Sequence, residues 1–390
     1  MQRSKNKTLL KPFLNSIIAN NESVKPIEIQ KVLILYDEKI IFIGDTCKRI
    51  ATLELITSYF ENATVDVNWQ NPGFSDVYLS LLKNSPSFNN VTNKKWEEII
   101  FFDYEVVICV TFEEATLLRH LYTKHKASRN NKLTTAFFSL SRAGLNYVGK
   151  PVSTIFPIYL DLLQFIQTNK GNQYLYVSDE ERKWADEWLV ANGLKENEQL
   201  YILLDSTTAD EKLLSPTVFS EMLSSIIETT RAKILIFDEK NIGKERMYRE
   251  MLGDTCIDRF MFATQLDLRK ALCILASNYT KLIFGPCTGL LHCASGIYNH
   301  FIKNGMPVSS VPLLVVYTGR YEHNDDNAKI WWDKSPLIKC LIIKKVHGQK
   351  QLVLLSDLKE EEKDDKTNVL SCKEYTADMI LHFLYINLHK

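Results

Sequence analysis

Lys281-Leu-Ile-Phe-Gly-Pro-Cys-Thr-Gly-Leu-Leu-His-Cys-Ala-Ser-Gly296 reads as a short apolar strand, a tight turn, and a helix that opens on Thr288 and Gly289. Thr288 suits an N-cap, because its hydroxyl can accept a hydrogen bond from an otherwise unpaired backbone N–H. His292 follows four residues later, one turn up on the same side of the helix. A helix mouth carries free N–H groups and partial positive charge, which suits phosphate. Thr288, Gly289 and His292 are therefore candidates to hold the diphosphate of a nucleotide-sugar. An ordinary strand-to-helix turn with a satisfied histidine fits the same residues, and a short motif alone does not separate the two.

The rhythm around this stretch is strand, helix, strand. Leu200–Leu204, Lys233–Phe237, Arg259–Ala263, Leu313–Tyr317 and Cys340–Ile343 read as short apolar strands. Between them, Ser215-Pro216 offers an N-cap followed by proline at the first helical position. Val218, Phe219, Met222, Leu223, Ile226 and Ile227 then recur at helical spacing. Further helices are expected at Lys244–Leu252, Asp267–Ser277 and Gly289–Asn299. Alternation of this kind implies a parallel sheet covered on both faces.

The first half alternates less evenly. Strands are expected at Lys31–Tyr36, Thr64–Val67, Glu105–Val110 and Thr134–Phe138, with helices at Thr46–Tyr59, Asp76–Leu82, Phe112–Tyr122 and Tyr159–Gln167. Polar residues and glycine cluster at Asn169–Tyr174, and Ser178-Asp-Glu-Glu181 then opens a helix as a capping box. The expected division is residues 1–172, residues 173–372, and a closing helix within residues 373–390 that returns to the first half. Asp357–Lys366 is a charge run expected to form a solvated surface.

Composition narrows the function. The chain has 390 residues, 45% of them hydrophobic and 24% charged, which suits a globular protein of two or three domains. With 47 basic and 47 acidic side chains the formal charge is zero, so bulk charge does not favour a nucleic-acid binder. No apolar run reaches the length of a membrane span, and Met1–Thr8 lacks the features of a secretory signal. The eight cysteines form no C-x-x-C pair. They read as reduced thiols of a cytoplasmic protein, with peripheral attachment at the inner face of the membrane left open, and no metal site is expected. A G-x-S-x-G elbow, a G-x-x-x-x-G-K-[ST] phosphate loop and a G-x-G-x-x-G fingerprint are all missing.

Thr288-Gly289-Leu-Leu-His292-Cys-Ala294 resembles the D-T-G-x-x-H-x-A signature of the heptosyltransferase-like glycosyltransferases, family 9. Three more segments fall in the matching order. Val32-Leu-Ile-Leu followed by Gly44-Asp45 resembles the opening strand and Gly-Asp loop. Leu203-Leu-Asp-Ser-Thr-Thr208 with Lys212 resembles the phosphate-contacting strand end, and Leu266–Leu272 the helix before the signature. Cys287 stands where the signature has aspartate, Ala51 where a proline follows the Gly-Asp loop, and the loop before Gly44 is longer than usual.

The resemblance implies a GT-B fold: α/β, with two Rossmann-like parallel-sheet domains facing across a cleft, the donor on the C-terminal domain and the acceptor on the N-terminal one. It implies a hexosyl- or heptosyltransferase-like enzyme, inverting and metal-independent, that takes a nucleotide-diphosphate sugar to a glycan, lipid-linked or peptide acceptor and needs no cofactor. Asp45 falls at the position of the general base, although an aspartate before a helix is also an ordinary cap. Thr207, Thr208 and Lys212 are candidate phosphate contacts, since hydroxyls donate to phosphate oxygens and lysine supplies a point charge. Asp210 and Glu211 stand ready to neutralise that lysine. Glu245 is a candidate ribose contact or a plain helix-surface residue. Gly44, Lys48 and Arg49, at the start of the helix from Thr46, are candidates for the acceptor side, although Lys48 and Arg49 also read as plain solvated cations. A catalytically silent GT-B module that binds a nucleotide or a partner protein is the alternative, and a GT-B-like epimerase or phosphorylase a third reading.

Overall fold

In the first unit, strands that are buried almost throughout, apart from the short outer strand at residues 90–92, lie side by side, as a sheet covered on both faces requires. They are β1 (Lys31–Tyr36), β2 (Thr64–Trp69), β3 (Asn90–Thr92), β4 (Val106–Val110) and β5 (Ala136–Ser139). They pair in parallel in the order β3-β2-β1-β4-β5, with Ile34 of β1 opposite Val67 of β2 on one side and Ile108 of β4 on the other. The computed structural model describes residues 2–36, 42–70, 75–110, 114–127, 134–140, 156, 158–169, 171–322, 328–333, 335–364 and 367–388. The loop before Gly44 (residues 37–41) and the expected helix start at Phe112 lie outside them.

The helix Gln2–Glu22 was not expected from its polar sequence. It is held by tertiary contacts. Phe13 and Ile17 enter the core with Leu33, Val107 and Phe137. Asn21 then donates from Nδ2 to the carbonyl of Phe137 at 2.8 Å and accepts the Phe137 N–H on Oδ1, also at 2.8 Å.

The second unit contains β6 (Leu200–Leu203), β7 (Lys233–Asp238), β8 (Phe260–Thr264), β9 (Thr280–Pro286), β10 (Leu313–Thr318), β11 (Ile338–Val346) and β12 (Gln349–Leu354). The order is β12-β11-β10-β9-β6-β7-β8, parallel except for β11 against β12. Strand β12 extends the sequence reading by a hairpin. His347 and Gly348 at its turn both have positive φ, 48° and 82°, the geometry of a tight two-residue connection. Chain direction reverses its progress across the sheet between β6 and β9, so a crevice at the carboxyl ends of these two strands is the topological switch point.

Three helices of the second unit open on side-chain caps. Ser178 and Glu181 form a capping box for Asp179–Ala191, Ser215 accepts from the Val218 N–H, and Asp267 accepts from the Lys270 N–H. The closing helix, Ala377–Leu388, packs within the second unit: Ile380, Leu381 and Leu384 share a core with Met222, Leu223 and Ile226 of the helix Pro216–Thr229. Tyr385 and Ser225 hydroxyls meet there at 3.0 Å. The described part of the charge run, residues 357–364, carries ion pairs. Lys363 pairs with Asp333 at 2.6 Å, and Lys329 with Asp364 at 2.6 Å, tying it to the helix Ala328–Trp332.

By compactness, Met1–Phe42 groups with Lys48–Gln173, and Ile43–Cys47 with Tyr174–Lys390. The helix Ile43–Tyr59 therefore contributes its first turn to the second unit.

Candidate functional site

The carboxyl ends of β6 and β9 deliver two loops to one place. Gly285 lets them meet: a Cβ there would stand 2.6 Å from the Cβ of Leu204 and 2.7 Å from its carbonyl oxygen. Beyond this contact, the Thr207 hydroxyl donates to the carbonyl of Cys287 at 3.4 Å. Cys287 immediately precedes Thr288 and Gly289, all three half-buried. The expected phosphate loop and the expected helix mouth are thus joined by a hydrogen bond.

Thr288 occupies the N-cap of the helix Gly289–Lys303 with extended backbone (φ −140°, ψ 155°), but its side chain makes no capping bond. The sequence expectation of a hydroxyl cap fails on that point, whereas Ser178, Ser215 and Asp267 all cap with their side chains. Thr208 is exposed at the loop surface. Lys212 closes a short turn, Asp210–Lys212, with its ammonium 5.2 Å from the centre of the Tyr321 ring. Glu211 accepts the backbone N–H of Glu322 at 2.8 Å, so it is occupied elsewhere; among the described residues Lys212 has no carboxylate partner.

His292 differs from expectation. It is 2% exposed, not open at the helix mouth. Its ring stacks on Trp332 at 3.9 Å between centres and 6° between planes. A Cβ on Gly44 would lie 3.0 Å from its Cδ2. Burial follows from neighbours remote in sequence: the helix Ala328–Trp332 brings one cover and the first turn of Ile43–Tyr59 the other.

That first turn begins earlier than the sequence suggested. Phe42 is the N-cap, so Asp45 is the third residue inside the helix rather than its cap, where the helix dipole still favours a carboxylate. Lys48 and Arg49 consequently fall in the second turn. Arg49 lies over the Tyr36 ring, 5.6 Å from its centre, in the first unit. Gly44 and Gly289 pack backbone to backbone, so the Gly-Asp and Thr-Gly segments adjoin. Glu245 is exposed and pairs with Arg249 one turn on at 3.0 Å, an ordinary helix-surface arrangement.

A second polar group, not evident from the sequence, lies beside the loop. Lys244, buried, bonds through Nζ to Asp205 Oδ1 at 2.6 Å. Asp205 Oδ2 accepts from the Tyr248 hydroxyl at 2.9 Å. Burial and the Asp205 carboxylate together push the Tyr248 hydroxyl well above its ordinary pKa. Burial opposes the charge of Asp238, but N–H donors from Lys244, Ile242 and Gly243 outweigh it and hold the carboxyl below its usual value. The one sequence signal was a lysine at the first position of a helix, where a cation is disfavoured. Trp332, the cover of His292, carried no comparable signal.

The chain is similar to the E. coli ADP-heptose lps heptosyltransferase II, with a TM-score of 0.60 at 12% identity over 92% of this chain and 99% of that one. This chain has the family 9 glycosyltransferase fold. A glycosyl transferase family 9 structure from Veillonella parvula DSM 2008 is also similar, with a TM-score of 0.51 at 12% identity over 76% of this chain and 83% of that one. No protein-family model and no curated protein matches the sequence. Among the described residues, no group of three or more His, Cys, Asp or Glu side chains is placed to hold a metal ion, and no helix is long and apolar enough to cross a membrane.

Proposed function

We propose that this protein is a glycosyltransferase that moves a sugar from a nucleotide-diphosphate donor to an acceptor hydroxyl. The observation that carries the reading is the Thr207 bond to the Cys287 carbonyl, which unites the two phosphate-suited segments at the switch point of a family 9 fold. The donor diphosphate is held by the backbone N–H groups at Gly289, the hydroxyls of Thr207, Thr208 and Thr288, and the Lys212 ammonium. Asp45 takes the proton of the acceptor hydroxyl as its oxygen attacks the anomeric carbon. The bond to the diphosphate breaks on the opposite side, which inverts the configuration. Helix-mouth amides and lysine stabilise the departing charge without a metal. Lys48 and Arg49, one turn beyond Asp45, serve an anionic acceptor. His292 supports the helix mouth from beneath rather than touching phosphate.

The test is a thermal-shift screen against ADP-, UDP-, GDP- and TDP-sugars, followed by transfer assays with the donor that binds. A ligand at about 100 times its dissociation constant adds about 2.7 kcal/mol of stability. A flat response to every donor rejects the enzyme reading.

One alternative has its own observation. Burial of His292 and a cysteine at position 287 are what a silent nucleotide-binding module would tolerate. Tight nucleotide binding with neither transfer nor donor hydrolysis selects that reading.

A further inference from the structure

Lys244 spends its whole hydrogen-bonding capacity on residues next to the proposed phosphate loop. Its three ammonium protons meet Asp205 Oδ1 at 2.6 Å, Ser206 Oγ at 2.7 Å and the Phe237 carbonyl at 2.6 Å. Ser206 in turn donates to Asp205 Oδ1 at 3.0 Å, and Tyr248 to Asp205 Oδ2 at 2.9 Å. The backbone of Lys244 is fixed too. Its N–H donates to Asp238 Oδ2 at 3.0 Å, as does that of Gly243 at 3.1 Å, while the Ile242 N–H donates to Oδ1 at 2.9 Å. The Lys244 and Asp205 side chains are only 7% and 15% exposed.

A buried ion pair of this kind is weak evidence for stability, because desolvation offsets the attraction. A network with every member satisfied does rigidify what it holds. Here it holds Asp205 and Ser206, the two residues directly before Thr207 and Thr208. Each extended residue spans roughly 3.3–3.6 Å, so displacement at Asp205 shifts the Thr207 hydroxyl off the Cys287 carbonyl.

We propose that Lys244 is a positioning residue for donor binding: it clamps Asp205 and Ser206 at the end of β6 so that Thr207, Thr208 and Lys212 present one fixed surface to the diphosphate. The inference rests on the donor reading of that loop. It assigns Lys244 no contact with the ligand.

The experiment is calorimetric titration of wild type and Lys244→Met with ADP, UDP, GDP and TDP, with the matching nucleosides, and with inorganic pyrophosphate. For the nucleotide that wild type binds, Lys244→Met weakens binding about ten-fold, a change of about 1.4 kcal/mol. Pyrophosphate weakens in step, while the nucleoside dissociation constant moves less than about two-fold. This selective loss is what a merely structural lysine would not give. Should removal of one charge leave Asp205 stranded and the chain unfolded, the pair Asp205→Asn with Lys244→Met removes both charges, and Tyr248→Phe loosens the clamp by a single hydroxyl; both carry the same nucleotide-to-nucleoside comparison. Wild type that binds no nucleotide overturns the donor reading itself. Equal losses for nucleotide and nucleoside, or no loss in any folded variant, overturn the positioning role and leave the donor reading standing.

Discussion

Gly289 and Gly44 meet with no side chain between them. A Cβ on Gly289 would stand 2.6 Å from the Cβ of Ile43 and 3.0 Å from the Gly44 nitrogen. Gly289→Ala therefore forces helix and turn apart and is expected to cost about 1–3 kcal/mol, the usual range for overpacking. Urea unfolding reads this as a lower midpoint at constant slope. An unchanged midpoint would show that the two segments are not in contact.

Trp332 covers His292 ring against ring, at 2% exposure. Trp332→Ala is expected to destabilise the protein by about 3–5 kcal/mol, as loss of a large buried aromatic does. Trp332→Phe keeps a stacking partner and should recover more than half. Equal losses in the two variants would mean that a smaller ring at this position restores neither the packing nor the stacking.

Asp45→Asn tests the base. Turnover should fall by roughly 10²–10⁴-fold, the contribution of general acid–base catalysis, with donor affinity nearly unchanged. Full turnover in this variant removes Asp45 from the chemistry.

His300 gives the second unit a pH signature. Burial first, then the Lys303 charge, lower its pKa below the ordinary 6.5. The unfolded chain thus takes up a proton before the folded one does, and stability falls as pH drops through 6.5 toward the lowered folded value. The loss levels off once pH lies below both. Denaturation midpoints across this window should show the decline, and His300→Gln should flatten it. A variant with the same pH slope as wild type assigns the effect to other groups.

The central parallel strands were legible because residues buried on both faces make continuous apolar runs, as at Leu200–Leu203 and Lys233–Asp238. Helix starts at Ser178, Ser215 and Asp267 were legible because a capping side chain acts within three residues. Strand β12 was not, since Gln349-Lys-Gln lacks an apolar run and takes its conformation from pairing with β11. The Thr288 and Gly289 segment was found from sequence, but the burial of His292 depends on Gly44 and Trp332, far away along the chain. Lys244 and Asp205 are 39 residues apart and become neighbours only because β6 and β7 pair. Local rules carry no information about such a meeting.

Asn21 imitates a strand. Its amide gives and takes one hydrogen bond each with the main chain of Phe137, on one of the two outer strands of the first sheet among the described residues. An unguarded outer strand is a template for another chain. Removing the leading helix would bare those groups, so a shortened protein starting at Ser23 should self-associate in a concentration-dependent way even where its folded core survives.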